Sequence, residues 1–192
     1  MEKILFINSC YNLDKSRTMY LSNKIFEKFN VNDNYDFEEI RLKDLHLVPL
    51  SEEKVNTRKD LHSKDLYDVD SLIYSKKILS ADIIVVSAPL YDYSYPSMLK
   101  VFMENVSIPK LMYKYDKNGV VGNARGRKFI YITSRGGSIS DDKDYGYLNL
   151  CEMFKLFGIK ESTIISINNI DFSHDPIKDI DELVKNIKDP FK

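Results

Sequence analysis

The chain has 192 residues, 43% apolar and 30% charged, which suits one globular, soluble domain with a sizeable core over residues 1–192. Lys and Arg number 28 against 29 Asp and Glu, so the formal net charge is −1 and no excess positive field exists to hold a phosphate polymer, which argues against general nucleic-acid binding while leaving room for local basic patches. No apolar stretch approaches the ~18 residues a membrane helix requires, Met1-Glu2-Lys3 leads into an apolar run without a secretory pattern, and Cys10 and Cys151 form neither a disulfide framework nor a zinc site, so a reduced cytoplasmic setting is expected.

Lys3-Ile4-Leu5-Phe6-Ile7-Asn8 is a short apolar run with the character of a buried strand. After a polar stretch, Ser16 or Thr18 opens a helix to about Phe29, with Met19, Leu21, Ile25, Phe26 and Phe29 as candidate core positions. Tyr35 to Leu42 alternates as a second strand. Residues 43 to 70 are charged and read as short helices or loop, followed by a helix from about Ser71 to Ser80. Asp82 to Ala88 is a third strand. A helix from Ser97 to about Val106 has a serine at its start as the expected cap, with Met98, Val101, Phe102 and Val106 facing inward. Arg127 to Ser134 is a fourth strand. Tyr145 to Phe157 is a helix stopped by Gly158. Ser162 to Asn168 is a fifth strand, and Ile177 to Ile187 a last helix. Alternating strands and helices predict an α/β fold: a doubly wound, five-stranded parallel sheet of flavodoxin-like order 2-1-3-4-5, covered on both faces.

In such sheets ligands lie beyond the carboxyl ends of the strands, where strand order reverses. Three loops fall there. In the first, Ser16, Arg17 and Thr18 stand at a helix start, where free N–H groups, hydroxyls and a guanidinium favour an anion; the plain alternative is that Ser16 only caps the helix. No glycine-rich dinucleotide or Walker pattern is present. In the second, "SAPLYDYSYPSMLK", Pro89 and Pro96 stiffen the connection, and Tyr91, Tyr93 and Tyr95 offer walls for a flat ring or, alternatively, packing surface. In the third, "TSRGGSISDD", Gly136 and Gly137 let the backbone approach a ligand closely or make an ordinary turn. A phosphate at the first loop and a flat ring between the other two is the outline of FMN.

"PLYDYSYPSMLKVFMEN" after the third strand resembles the corresponding segment of FMN-dependent NADH azoreductases, which belong with the NAD(P)H:quinone reductases of the flavodoxin-like fold. "YKYDKNGVVG" (113–122) and "SRGGSIS" (134–140) resemble the next two segments of that family, in order and at fitting spacing. The resemblance implies that Ser9, Ser16, Arg17 and Thr18 hold the FMN phosphate and ribityl chain. It implies that Pro89, Leu90, Tyr91, Asp92 and Tyr93 border the ring, and that Ser134, Arg135, Gly136 and Gly137 line its other polar edge. Tyr115 matches an aromatic over the substrate cavity, and relatives are homodimers with sites at the subunit interface. The implied activity is a ping-pong transfer of hydride from NADH or NADPH through flavin N5 to a quinone or azo acceptor. No side chain is required as a proton-transferring catalyst. Asp92 departs from the family's usual amide; a carboxylate at the ring would lower the flavin potential unless it points away or is paired.

Two other readings stand beside this one. A flavin-binding electron carrier or regulatory flavoprotein would share the fold without its own NAD(P)H reaction. A low-molecular-weight phosphatase would use Cys10 before Arg17-Thr18 and the Asp175-Pro176 pair, although the Cys-x6-Arg spacing is one residue longer than that cradle takes. His46, His62 and His174 are scattered, and no metal site is expected.

Overall fold

A computed structural model describes residues 1–64, 72–117 and 119–192. In chain order the elements are β1 (Lys3–Asn8), α1 (Arg17–Lys28), α2 (Val31–Asn34), β2 (Asp36–Arg41), α3 (Glu52–Ser63), α4 (Ile73–Ser80), β3 (Ile83–Ser87), α5 (Ser97–Val106), β4 (Tyr113–Asp116), β5 (Gly119–Gly122), β6 (Lys128–Ser134), α6 (Tyr145–Phe157), β7 (Glu161–Ile167) and α7 (Pro176–Asn186). The expected start of the fourth helix at Ser71 lies outside the described residues, as does the end of the 43–70 stretch; the rest of that stretch is mostly α3.

The main sheet is parallel, in the order β2-β1-β3-β6-β7, which is the anticipated five-strand order. β1 and β3 are buried along nearly their whole length, which explains their unbroken apolar runs: each covers both faces at once. Their side chains alternate between two cores. Ile4, Phe6, Ile83, Val85, Ile130 and Ile132 pack with Leu21 and Ile25 of α1 and Ile180 and Val184 of α7. Leu5, Ile7, Ile84, Val86, Phe129 and Tyr131 pack with Leu99 and Phe102 of α5 and Leu150 and Phe154 of α6. The sheet therefore cannot slip by one residue without exchanging its two cores.

Helix starts and stops follow local chemistry, with one correction. Ser16 caps α1, its Oγ accepting from Met19 N–H at 3.1 Å. Gly158 ends α6 with φ of 110°, a region glycine enters without strain. The serine cap expected for α5 is absent: Ser97 is already the first helical residue, and the cap position is Pro96, which supplies no side-chain acceptor. The inward face of α5 is also turned from the expected one. Leu99, Phe102, Met103 and Val106 are buried, whereas Met98 and Val101 are half-buried.

One element was not anticipated as structure. β4 and β5 form an antiparallel hairpin outside the main sheet. It docks on the end of α6 through Gly122, where a Cβ would lie 2.0 Å from the Phe157 carbonyl carbon, and Ala124 N–H donates to Phe157 O at 2.9 Å.

Candidate functional site

All five strands of the sheet point the same way, so the loops after β1, β3, β6 and β7 share one edge. They enclose a crevice of about 370 Å³. Ser16, Arg17 and Thr18 line one part of it; Pro89, Leu90 and Tyr91 another; Ser134 and Gly136 a third. Eight of the residues assigned from the sequence are thus brought together.

The phosphate-type end is the start of α1. Met19 and Tyr20 N–H groups are used by Ser16, but those of Arg17 and Thr18 have no acceptor among the described residues. Two free amides at the positive end of a twelve-residue helix attract an anion. Thr18 Oγ1 is buried and shares a hydrogen bond of 2.6 Å with Ser134 Oγ, tying the first loop to the third. Ser9 does not line the crevice. It is fully buried at the exit of β1, its N–H donates to Ser87 O at 2.9 Å, and its Oγ has no partner in the protein. A buried hydroxyl without a partner is uncommon in folded proteins.

The ring-type end is built by backbone. Tyr91 to Ser94 closes as a two-residue hairpin turn, with N–H to O bonds of 2.8 Å in both directions. Asp92 and Tyr93 occupy its centre with φ of 50° and 61°. Asp tolerates that region and takes over the turn role of an amide; Tyr93 sits there at a strain of about 1 kcal/mol. Both side chains are exposed at the tip and neither lines the crevice. Tyr91 remains at the crevice, its ring parallel to that of Tyr11 within 9° at a centroid separation of 6.4 Å. Tyr95 is corrected from a ring wall to a core residue. It is buried, its hydroxyl donates to Asn149 Oδ1 at 2.6 Å, and burial pushes its phenol up to about 12.

Across the crevice, Arg135, Gly136 and Gly137 turn their carbonyls toward residues 169–171: Asn169 N–H donates to Gly137 O, Ile170 N–H to Arg135 O and Asp171 N–H to Gly136 O. The N–H groups of Gly136 and Gly137 have no acceptor among the described residues. The Asp171 carboxylate packs directly on Gly136, so a Cβ there, 2.3 Å from Oδ2, would push that side chain aside. Arg135 is corrected in one respect: its side chain does not face the crevice. It is fully buried, donating to Asp144 Oδ2 at 3.0 Å and to Ile139 O at 2.7 Å, with Asp141 Oδ1 at 2.8 Å. It braces the loop from within while its backbone runs along the rim.

The sequence reading missed Asp171 and Ile170 of the loop after β7, and Tyr11, Asn12 and Lys15 of the first loop. The signal was available: β7 ends on the same edge as the other strands. Tyr115 stands on the β4–β5 hairpin, 73% exposed and edge-on to Tyr113, outside this chain's crevice.

Cys10 has no catalytic setting. It is buried, 3.7 Å from Ser87 Oγ, and burial pushes its thiol up, the opposite of what a nucleophilic thiolate requires. Asp175 caps α7 by accepting from Lys178 N–H, with Pro176 at the helix start. Both features that pointed to a phosphatase are therefore structural. Among the described residues no cluster of His, Cys, Asp and Glu has the arrangement of a metal site, and no helix is long and apolar enough to cross a membrane. A hollow of about 390 Å³ between α3, α4 and α5 has no lining residue from the loops after β1, β3 or β6.

This is the architecture of a doubly wound α/β protein with a ligand crevice at the strand-order reversal. The family model described as "Flavodoxin-like fold" matches residues 2–189, and the chain belongs to that family. It is 28% identical to the FMN-dependent NADH:quinone oxidoreductase of Clostridium beijerinckii, covering 100% of this chain and 99% of the relative. It is 26% identical to the protein of the same description from Coprothermobacter proteolyticus, covering 89% and 88%. Among solved structures, an FMN-dependent NADH-azoreductase from Bacillus anthracis in complex with FMN superposes with a TM-score of 0.76 at 23% identity, covering 96% of this chain and 98% of that one.

Proposed function

We propose that the protein is an FMN-dependent NAD(P)H oxidoreductase that reduces quinones and azo compounds. The observation that carries this reading is the pairing of unused donors on one crevice: Arg17 and Thr18 N–H at one helix start and Gly136 N–H on the third loop, next to the unused Gly137 N–H, with Tyr91 across from them. Ser9 Oγ, buried and unpartnered, adds a hydroxyl at the same edge. The residues fit a group with a terminal anion and a flat polar-edged ring. The names of the relatives, matched over 89% and 100% of this chain, point the same way.

In this reading Ser16, Arg17 and Thr18 hold the phosphate and ribityl chain with Ser9 buried behind them, Pro89, Leu90 and Tyr91 border the ring beside the Asp92–Tyr93 turn, and the backbone from Ser134 to Gly137 bonds its polar edge. Bound FMN would supply the redox chemistry, taking hydride from NADH or NADPH and passing reducing equivalents to the acceptor in a ping-pong cycle. The chain's part is binding, orientation and electrostatics. The Gly136 and Gly137 N–H groups stabilise negative charge at the ring edge, and the dry apolar core beneath β3 and β6 keeps those dipoles fixed. Two copies of the chain would form the working unit, with the exposed Tyr115 of one copy over the crevice of the other and an acceptor between them. A cytoplasmic setting, with free thiols and NAD(P)H at hand, is consistent with this role.

The test is direct. Purified protein, or protein given FMN at micromolar levels, is expected to be yellow with a flavin spectrum. Anaerobic NADH is expected to bleach it without a partner protein, and steady-state rates with NADH and a quinone should give parallel double-reciprocal lines. A colourless protein that refuses FMN overturns the reading; bleaching that needs a second protein makes it a carrier instead.

A further inference from the structure

The loop after β7 reaches back over the phosphate end of the crevice. Asp171 lies in it, and its Oδ1 is 2.5 Å from Arg17 Nη1. The carboxylate is not a loose surface group at its base. Asp171 N–H donates to Gly136 O, its neighbour Ile170 N–H donates to Arg135 O, and Oδ2 rests against the bare Cα of Gly136. The loop is thus laced to the third loop, and the carboxylate spans the crevice to the guanidinium on the first. Arg17 and Asp171 both line the same crevice.

This arrangement sets two anions in competition. A phosphomonoester drawn to the free N–H groups of Arg17 and Thr18 would carry nearly two negative charges and would seek the same guanidinium. Asp171 already holds that guanidinium, and its own charge faces the incoming group. With the FMN reading as its basis, we propose that Asp171 is an affinity-setting residue of the phosphate end: it takes the Arg17 charge away from the cofactor and keeps the cofactor exchangeable. Lys15, also on the crevice wall, is a cation that Asp171 does not hold.

The pair is part-exposed, with side-chain exposures of 41% for Arg17 and 64% for Asp171, so its effect is that of charges in nearly aqueous surroundings. Removing one unit charge a few ångströms from a dianion in such surroundings tightens binding by about three- to tenfold.

The experiment measures FMN and riboflavin dissociation constants for wild type, Asp171→Asn and Asp171→Ala by fluorescence quenching at low and high salt. Both variants are expected to bind FMN about three- to tenfold more tightly at low salt, chiefly through slower release, with the gain shrinking as salt rises. Riboflavin, which lacks the phosphate, is expected to bind all three proteins alike. Asp171→Asn preserves the shape that rests on Gly136, and an unchanged thermal midpoint would show that the loop is intact. Equal or weaker FMN binding in both variants, with wild type binding FMN normally, overturns the inference and makes Asp171 a support for Arg17. An equal gain for riboflavin overturns it as well, since the effect would not then pass through the phosphate. Wild type that binds neither flavin overturns the functional reading and the inference together.

Discussion

At the scale of single residues, Arg135 is a charge held wholly inside the fold. Its side chain is fully buried and its partner Asp144 is fully buried too, while Asp144 also accepts from Tyr147 N–H to cap α6. Asp144→Ala would leave a guanidinium inside with half-exposed Asp141, the Ile139 carbonyl and a long contact to Asn168 Oδ1 to face. A loss of about 3–5 kcal/mol is expected on urea unfolding, most of it from the uncompensated charge and ~1 kcal/mol from the cap. A loss under 1 kcal/mol would mean that Asp141 and Ile139 O satisfy Arg135 alone. The sequence assigned "SRGG" to the candidate site, and Ser134 and Gly136 line the crevice, but it did not reveal that Arg135 turns inward, because the direction of a side chain on a loop depends on partners such as Asn168, 33 residues away. Asp171 was invisible for the same reason: its partner Arg17 lies 154 residues earlier. Tyr91, Tyr93 and Tyr95 read alike in the sequence, yet the first borders the crevice, the second sits strained at a turn, and the third is core.

At the scale of elements, the legible ones were those whose residues are buried. β1, β3 and β6 announce themselves by apolar runs, and α1 and α6 by a serine before and a glycine after. The β4–β5 hairpin does not, because its residues are mostly exposed and only four long on each side, so no period develops. Its position rests on Gly122, pressed against the backbone at Phe157 and Gly158, and on Tyr113, whose ring lies parallel to Phe157 within 17°. Gly122→Ala would place a methyl inside the van der Waals radius of that backbone. The hairpin must then lift, at a cost of about 1–3 kcal/mol. Faster amide exchange at residues 113–122, with β1 and β3 unaffected, is the expected signature; unchanged exchange would show that the contact has slack. The lift would also displace Tyr115, so the variant should change acceptor KM more than FMN affinity.

At the scale of the whole molecule, the rim of the crevice carries more exposed aromatic surface than a lone chain needs: Tyr11, Tyr91, Tyr93 and Tyr145 are all exposed by 47% or more, and Tyr115, 73% exposed, stands apart on the β4–β5 hairpin. Groups of large exposed rings mark interaction surfaces. The dimer proposed for the working unit predicts that sedimentation equilibrium at micromolar concentration gives twice the chain mass, and that Tyr115→Ser together with Tyr93→Ser shifts it toward the monomer. A monomer at all concentrations would leave Tyr115 without a cavity to cover. The strand order was readable because alternation of β and α patterns leaves few right-handed ways to wind five strands; which loops meet was readable only in so far as parallel strands share an edge.

The two-sided sheet has a consequence for how the chain comes off the ribosome. β1 is made first, yet it pairs with β3 nearly eighty residues later, and the crevice is not complete until the loop that follows β7 has been synthesised. Such distant pairings cannot form until the later strand has left the tunnel, however fast they close afterwards. A nascent chain therefore has no finished pocket to offer, and loading must wait for release: in a translation extract, stalled chains lacking residues after Ser162 should emerge unable to quench flavin fluorescence, whereas full-length chains gain that ability only after they leave the tunnel.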